Sequence, residues 1–234
     1  MNLFICDRSE TGIEPHRFFL KGQESHHAVK VLRLREGDPV FATDGKGNLF
    51  SGIAKVISKD GVKAAIIETK YIPKPEPEIS IALGNIKKRD RLEFAIEKAV
   101  ELGVTKLTVF RADHSEKEKV RIDRLYSSAI EAMKQSLRVW LPEIEIKESM
   151  DQVLSDNAGE YIVFVADENY DQTGSVPRQI DSSGKRLFIV GPEGGFSERE
   201  RTLIDRYDLN RISLGKYRLR SETAVITIAA LYGP

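Results

Sequence analysis

Apolar positions along the second two-thirds of the chain follow two periods in turn. Residues 79–83 form a short apolar run of strand length, and 91–102 place Leu92, Ala95, Ile96, Ala99, Val100 and Leu102 on one helical stripe that Gly103 terminates. The alternation continues with a strand at 106–110, a helix at 121–137, buried strands at 161–166 and 187–190, and helices at 197–207 and 222–231. This pattern predicts an α/β unit with a mostly parallel sheet covered by helices on both faces. Such sheets bind ligands beyond the carboxyl ends of their strands.

The first third reads differently. Short runs at 39–43, 48–57 and 62–69 are separated by Asp44-Gly45 and by the turn at 58–61, which predicts a small β barrel or sandwich. Only 24–32 departs from it, with His27, Val31 and Leu34 at roughly helical spacing. Between the two patterns, 70–78 alternates three prolines with charged residues. Proline fixes φ and offers no N–H, so this piece favours an extended spacer. The expected domains are 1–72 and 73–234.

Composition narrows the classes. Apolar residues make up 41% and charged residues 31%, as in ordinary globular chains, and 36 basic side chains balance 36 acidic ones. The whole is therefore not polybasic, although a local basic face remains open. The single cysteine, Cys6, excludes an internal disulfide and a cysteine-based zinc site. The N-terminus turns polar too early for a signal peptide, and the longest apolar stretch falls far short of a bilayer span. A cytoplasmic protein without membrane or metal partners is expected.

Two segments carry candidate chemistry. In the first, the strand at 187–190 enters Gly191-Pro192-Glu193-Gly194-Gly195-Phe196 and then a helix, with Ser197 and Glu200 at capping-box spacing. The glycines permit close ligand approach. The pattern is neither G-x-G-x-x-G nor a P-loop, and Glu193 repels phosphate, so a neutral or cationic ligand suits it better than a triphosphate. A tight turn without a ligand is the plain alternative. In the second segment, a short strand ends at Gly215 and the cationic loop Lys216-Tyr217-Arg218-Leu219-Arg220 leads into a helix, for which Ser221 is a plausible N-cap. Arg218 and Arg220 lie where a helix N-terminus already favours an anion.

Taken together, Gly191-Pro192-Glu193-Gly194-Gly195, Leu214-Gly215 and Leu219-Arg220-Ser221-Glu222-Thr223-Ala224 resemble the RsmE-type 16S rRNA uracil-N3 methyltransferases of the SPOUT superfamily. So do His26-His27 with Val31-Leu32-Arg33-Leu34 and Gly37-Asp38, then Glu93-Phe94, Glu97-Lys98 and Glu101-Leu102-Gly103-Val104, then Gln135-Ser136 with Arg138 and Pro142-Glu143-Ile144. The resemblance covers nearly the whole chain. It implies a PUA-like RNA-binding β-barrel domain followed by an α/β SPOUT domain with a deep C-terminal trefoil knot, acting as a homodimer on 16S rRNA of the small ribosomal subunit. It implies S-adenosylmethionine as cofactor, with Gly191, Glu193, Gly194 and Gly195 on one side of its pocket and Leu214, Gly215 and Leu219 on another. Three positions depart from the family pattern: Tyr217-Arg218 where Arg-Ile is common, Lys117 in Ser115-Glu116-Lys117 where arginine is common, and Lys134 where an acid is common.

Uracil N3 is a weak nucleophile until it loses its proton, and a guanidinium near O2 or O4 stabilises the resulting anion. Arg220 is the expected group, with Arg138 as a second cation; Glu222 orients Arg220, accepts the proton, or simply favours the helix dipole. Arg17, Lys21, Lys30, Arg33 and Arg35 surround 24–32 with Phe18 and Phe19 nearby, and suit phosphate contacts with some base stacking. Lys88 and Arg89, flanked by Lys87 and Arg91, form a second basic cluster. His26 is expected in a structural or RNA-contact role, Asp113-His114 in a loop, and Lys98 and Glu101 in a helix-surface pair. Two rival functions stand beside this one: a SPOUT enzyme with another RNA target, and a non-catalytic RNA-binding or ribosome-assembly protein.

Overall fold

The computed structural model describes residues 1–6, 16–115, 119–168, 170 and 184–234; Glu116 and Lys117 lie outside them. The chain forms two compact units, Met1–Lys74 with Met133–Leu141, and Pro75–Ala132 with Pro142–Pro234.

In the first unit, β1 (Leu3–Ile5), β2 (Arg17–Leu20), β3 (Pro39–Thr43), β4 (Asn48–Ser58) and β5 (Gly61–Tyr71) make one sheet in the order β1-β3-β4-β5-β2. Only β1 and β3 pair in parallel. The long β4–β5 hairpin shifts register at Ser51/Gly52 and Ala54/Val56. At Gly52 a side chain would meet the Ala65 carbonyl oxygen at 2.6 Å and the Phe18 ring at 2.9 Å, so the absence of Cβ lets the strands approach. Phe18, Leu20, Val40, Phe50 and Val62 fill the core. Phe18 is fully buried against Phe50 and so cannot stack on a base, which corrects the role expected for it. Phe19 is half-buried under Lys63.

The helix expected at 24–32 is two pieces: α1 (Gly22–His26) and a π-helical turn, His27–Val31, where the Leu32 N–H bonds to the His27 carbonyl. The residues Met133–Leu141 join this unit through Trp140, whose Nε1 donates to the Ile72 carbonyl at 2.8 Å and whose ring meets Tyr71 edge-on. Lys134 brings its ammonium to within 2.5 Å of Glu24, whose other oxygen accepts the Ile5 N–H at 3.0 Å. Both side chains are largely buried, so the basic residue at 134 has a buried acid as its counterpart.

The second unit has β6 (Ile79–Gly84), α2 (Arg89–Glu101), β7 (Lys106–Phe110), α3 (Ile122–Gln135, whose last residues belong to the first unit), β8 (Glu143–Lys147), α4 (Met150–Asp156), β9 (Tyr161–Ala166), β10 (Lys185–Val190), α5 (Glu198–Arg206), β11 (Asn210–Ile212) and α6 (Ser221–Tyr232). All six strands pair in parallel, in the order β11-β9-β10-β6-β7-β8. Strand alternation sorts the two faces. Ala82, Leu187 and Ile189 pack with Met150 and Val153 of α4 and Leu203 and Ile204 of α5. On the other face, Phe188 stacks between Phe164 and Tyr232 of α6, and α2 packs beside α6. Helices thus cover both faces, as the alternating pattern predicts. Gly103 ends α2 with φ of 90°, and Lys98 pairs with Glu101 at 2.8 Å. No helix among the described residues is long and apolar enough to cross a membrane.

Candidate active site

Parallel pairing brings the carboxyl ends of β9, β10 and β11 side by side, where the strand order reverses next to β6. The three following loops wall a cavity of about 670 Å³, which Arg91 of α2 and the start of α6 complete. Among the expected cofactor residues, Gly191, Glu193, Gly195, Leu214, Gly215 and Leu219 line it, as does Arg220. Gly195 and Gly215 adopt φ of 69° and 136°, the left-handed region that glycine enters without strain.

Gly194 backs onto His114 in the loop after β7. A Cβ on Gly194 would fall 2.8 Å from that of His114, and the ring Nδ1 lies 3.1 and 3.2 Å from the carbonyl oxygens of Gly194 and Gly195. Carbonyls only accept, so Nδ1 carries the hydrogen. Beside it, Asp113 accepts from Ser197 Oγ at 2.5 Å and from two nitrogens of Arg199 at 3.0 and 2.8 Å. These bonds, Arg199 first, hold the Asp113 carboxyl below the usual aspartate range. Ser197 and Glu200 form the expected capping box, and buried Glu200 also accepts the Asp113 N–H at 3.1 Å. The pair Asp113-His114 therefore braces the glycine loop. Its sequence signal is faint, because the loop it supports lies some eighty residues further on.

At the second junction the strand stops at Ile212 and does not reach Gly215. Ser221 is not the N-cap: Arg220 holds that position, and Ser221, the first helical residue, donates Oγ to the Gly191 carbonyl at 2.8 Å. That bond ties the two glycine-bearing loops together. Arg218 clasps them further, with Nε 2.7 Å from Glu168 and a terminal nitrogen donating to the Glu193 carbonyl at 3.2 Å. Arg220 is exposed, and its side chain has no hydrogen-bond or ion-pair partner among the described residues. Glu222 is buried, and its partner is Arg91, with Oε1 3.5 Å from Arg91 Nε; its Oε2 has no hydrogen-bond partner. Arg138 belongs to the first unit, half-buried, where burial lowers its pKa. Arg17, Lys21, His26, Lys30, Arg33 and Arg35 are all exposed on the first unit, and Lys88 and Arg89 at the start of α2 are exposed on the second. Among the described residues no three His, Cys, Asp or Glu side chains gather in a way that could hold a metal ion.

The chain thus has two parts: a parallel α/β unit with a loop-built pocket at its strand ends, and a smaller β unit bearing exposed cations. A family model described as an RNA methyltransferase domain matches residues 73–233, and one described as an RNA methyltransferase PUA domain matches 20–67. The ribosomal RNA small subunit methyltransferase E of Rickettsia conorii is 32% identical over 88% of this chain and 84% of its own. The Neisseria gonorrhoeae protein of the same name, solved bound to S-adenosyl methionine, superposes with a TM-score of 0.83 at 27% identity over 98% of this chain and 95% of that one. A probable rRNA-methyltransferase from Porphyromonas gingivalis gives 0.86 at 28% identity over 98% and 95%. The chain belongs to this family, that of ribosomal RNA small subunit methyltransferase E.

Proposed function

We propose that the protein transfers a methyl group from S-adenosylmethionine to N3 of a uridine in 16S ribosomal RNA of the small subunit. The observation that carries this is the cavity at the ends of β9, β10 and β11, walled by the two glycine-bearing loops and lined by the exposed Arg220. The names of the relatives support a small-subunit rRNA substrate, and the bound ligand of the Neisseria protein supports the cofactor.

The cavity suits that cofactor. Its volume falls in the range of small-molecule sites. The space beside Gly195 is open as far as Glu168 Oε1, 3.8 Å away, so backbone faces the ligand there. Glu168 and Glu193 supply acceptors suited to a ribose diol or a cationic centre, and neither favours a phosphate. Gly191, Glu193, Gly195, Leu214, Gly215 and Leu219 would hold the cofactor, with Gly194 fixing the loop from behind. Bound there, it supplies an electrophilic methyl group on sulfur.

The chain's own work is to hold the uracil in line with that group and to stabilise charge. When N3 gives up its proton to solvent water, negative charge spreads to O2 and O4, and the Arg220 guanidinium compensates it. Arg138 is proposed as a second cation. Arg17, Lys21, His26, Lys30, Arg33, Arg35, Lys88 and Arg89 are proposed to contact RNA, chiefly its phosphates. We further propose a homodimer, supported by Phe94 on α2 and Leu231 on the adjacent α6, apolar side chains left exposed, and a cytoplasmic location. A deep C-terminal trefoil knot, implied by the resemblance to SPOUT enzymes, is likewise proposed.

Calorimetric titration with S-adenosylhomocysteine tests the pocket. Saturable binding that is weakened by Gly195→Val is expected, and no binding defeats the proposal. Arg220→Ala is expected to abolish methyl transfer while leaving that binding largely intact; full activity in the variant removes Arg220 from its role.

A further inference from the structure

Among the described residues, four arginines line the cavity: Arg91, Arg201, Arg218 and Arg220. Two are committed elsewhere. Arg201 spends NH1 on buried Asp167 at 3.1 Å, and Arg218 spends Nε on Glu168 and a terminal nitrogen on the Glu193 carbonyl. Arg220 is free but exposed, so fixing its long side chain costs conformational entropy.

Arg91 differs from all three. It enters the cavity from α2, and its side chain is 27% exposed beside that of Glu222, which is 9% exposed. The contact runs through Nε, at 3.5 Å, and its two terminal nitrogens make no hydrogen bond among the described residues. Arg91 lines the cavity, and with its one contact at Nε both terminal nitrogens are left available to an occupant. Glu222 is the second oddity. A carboxylate buried to this degree, with Oε2 lacking a hydrogen-bond partner among the described residues, is costly unless a nearby cation offsets it, and Arg91 is such a cation. Donors fixed before the reaction stabilise developing charge better than donors that must be ordered during it.

We infer that Arg91 is a further catalytic residue, contacting the uracil oxygen that becomes negative when N3 loses its proton, and that Glu222 is its positioning residue. Glu222 is then neither the partner of Arg220 nor the proton acceptor, and the N3 proton passes to solvent water. This rests on the methyl-transfer function proposed above. The acids that line the cavity among the described residues have other partners: Glu168 is paired with Arg218, Asp167 with Arg201, and Glu193 accepts the Lys87 N–H.

The test is the pH profile of kcat for wild type, Arg91→Gln, Arg91→Lys and Glu222→Gln on small-subunit RNA, with S-adenosylhomocysteine affinity measured on each as a check of folding. Arg91→Gln is expected to lower kcat by about 100-fold near neutral pH, the usual cost of losing one such donor. The deficit should shrink as pH rises, because the solution then does more of the deprotonation that Arg91 assists. Arg91→Lys should retain part of the rate. Glu222→Gln should show a smaller loss with the same pH trend. Cofactor affinity should not change in any of them. The inference is overturned by unchanged kcat in Arg91→Gln, by a deficit equal at every pH, by a defect confined to KM for RNA, or by Glu222→Gln losing activity while Arg91→Gln keeps it. A wild-type protein that forms no N3-methyluridine defeats the wider function and this inference together, whereas an active wild type with an indifferent Arg91→Gln defeats the inference alone.

Discussion

Gly194 leaves no room for a side chain because the Cβ of His114 stands 2.8 Å from where its own would be. The two loops at this point are fitted to each other, and the ring that fills the space also holds the Gly194 and Gly195 carbonyls. Replacing Gly194 by alanine should push the loop off His114. Overpacking of this kind costs about 1–3 kcal/mol, so calorimetry should show S-adenosylhomocysteine binding weakened by roughly tenfold or more. His114→Asn keeps an N–H donor near the position of Nδ1 and should preserve affinity, while His114→Asp sets an acceptor against two carbonyls and should weaken it. Equal affinities in the Asn and Asp variants would contradict the brace.

The Asp113 cluster has a pH signature. Arg199 and Ser197 hold the Asp113 pKa below its unfolded value. A depressed carboxyl contributes stability that is present above the unfolded pKa and lost as pH falls through the folded one. Asp113→Asn should therefore cost stability near neutral pH and progressively less in acid. The pair is partly exposed, so the expected cost is only about 1 kcal/mol. Urea unfolding of both proteins across the acid range measures it, and a difference independent of pH would count against the assignment.

In the first unit, Lys134 and Glu24 form a largely buried pair at 2.5 Å. Removing one partner strands the other, so Lys134→Ala should destabilise this unit by about 3 kcal/mol. The double variant Glu24→Gln, Lys134→Met removes both charges and should recover most of that loss. A double variant as unstable as the single one would show that the ion pair is not what matters there.

The exposed cations of the first unit predict a salt effect. Reversing the charge at Lys30 or at Arg33 should weaken RNA binding across sequences and lower the slope of log affinity against log salt by about 1 each. Filter binding at several salt concentrations reads this directly. An unchanged slope would remove these residues from the interface.

Much of this site was legible because glycine-rich junctions and helix caps act locally. The capping box at Ser197 and Glu200, the stop at Gly103, and the strands Lys106–Phe110 and Tyr161–Ala166 all follow from neighbours in sequence. What escaped was short or non-local. β1 has three residues, too few to show a period, β8 has Ile144 as its one fully buried residue, and the strand expected to end at Gly215 is the three-residue β11, which stops at Ile212. Ser221 has the chemistry of an N-cap, yet its hydroxyl is taken by Gly191 across the pocket. Phe18 looks like a stacking platform until strand pairing turns it into the core. The association of Met133–Leu141 with the first unit depends on Trp140 meeting Ile72 and Tyr71, which no local pattern announces. Arg91 reads as one more surface cation until α6 sets Glu222 beside it.

Small ribosomal subunits lacking the modification should be incubated with the purified protein and S-adenosylmethionine, and their RNA digested for nucleoside mass spectrometry. The account predicts N3-methyluridine formed with wild type and absent with Arg220→Ala. A methyl group on a ribose hydroxyl or another base, or no methylation by a protein that binds S-adenosylhomocysteine, would contradict it.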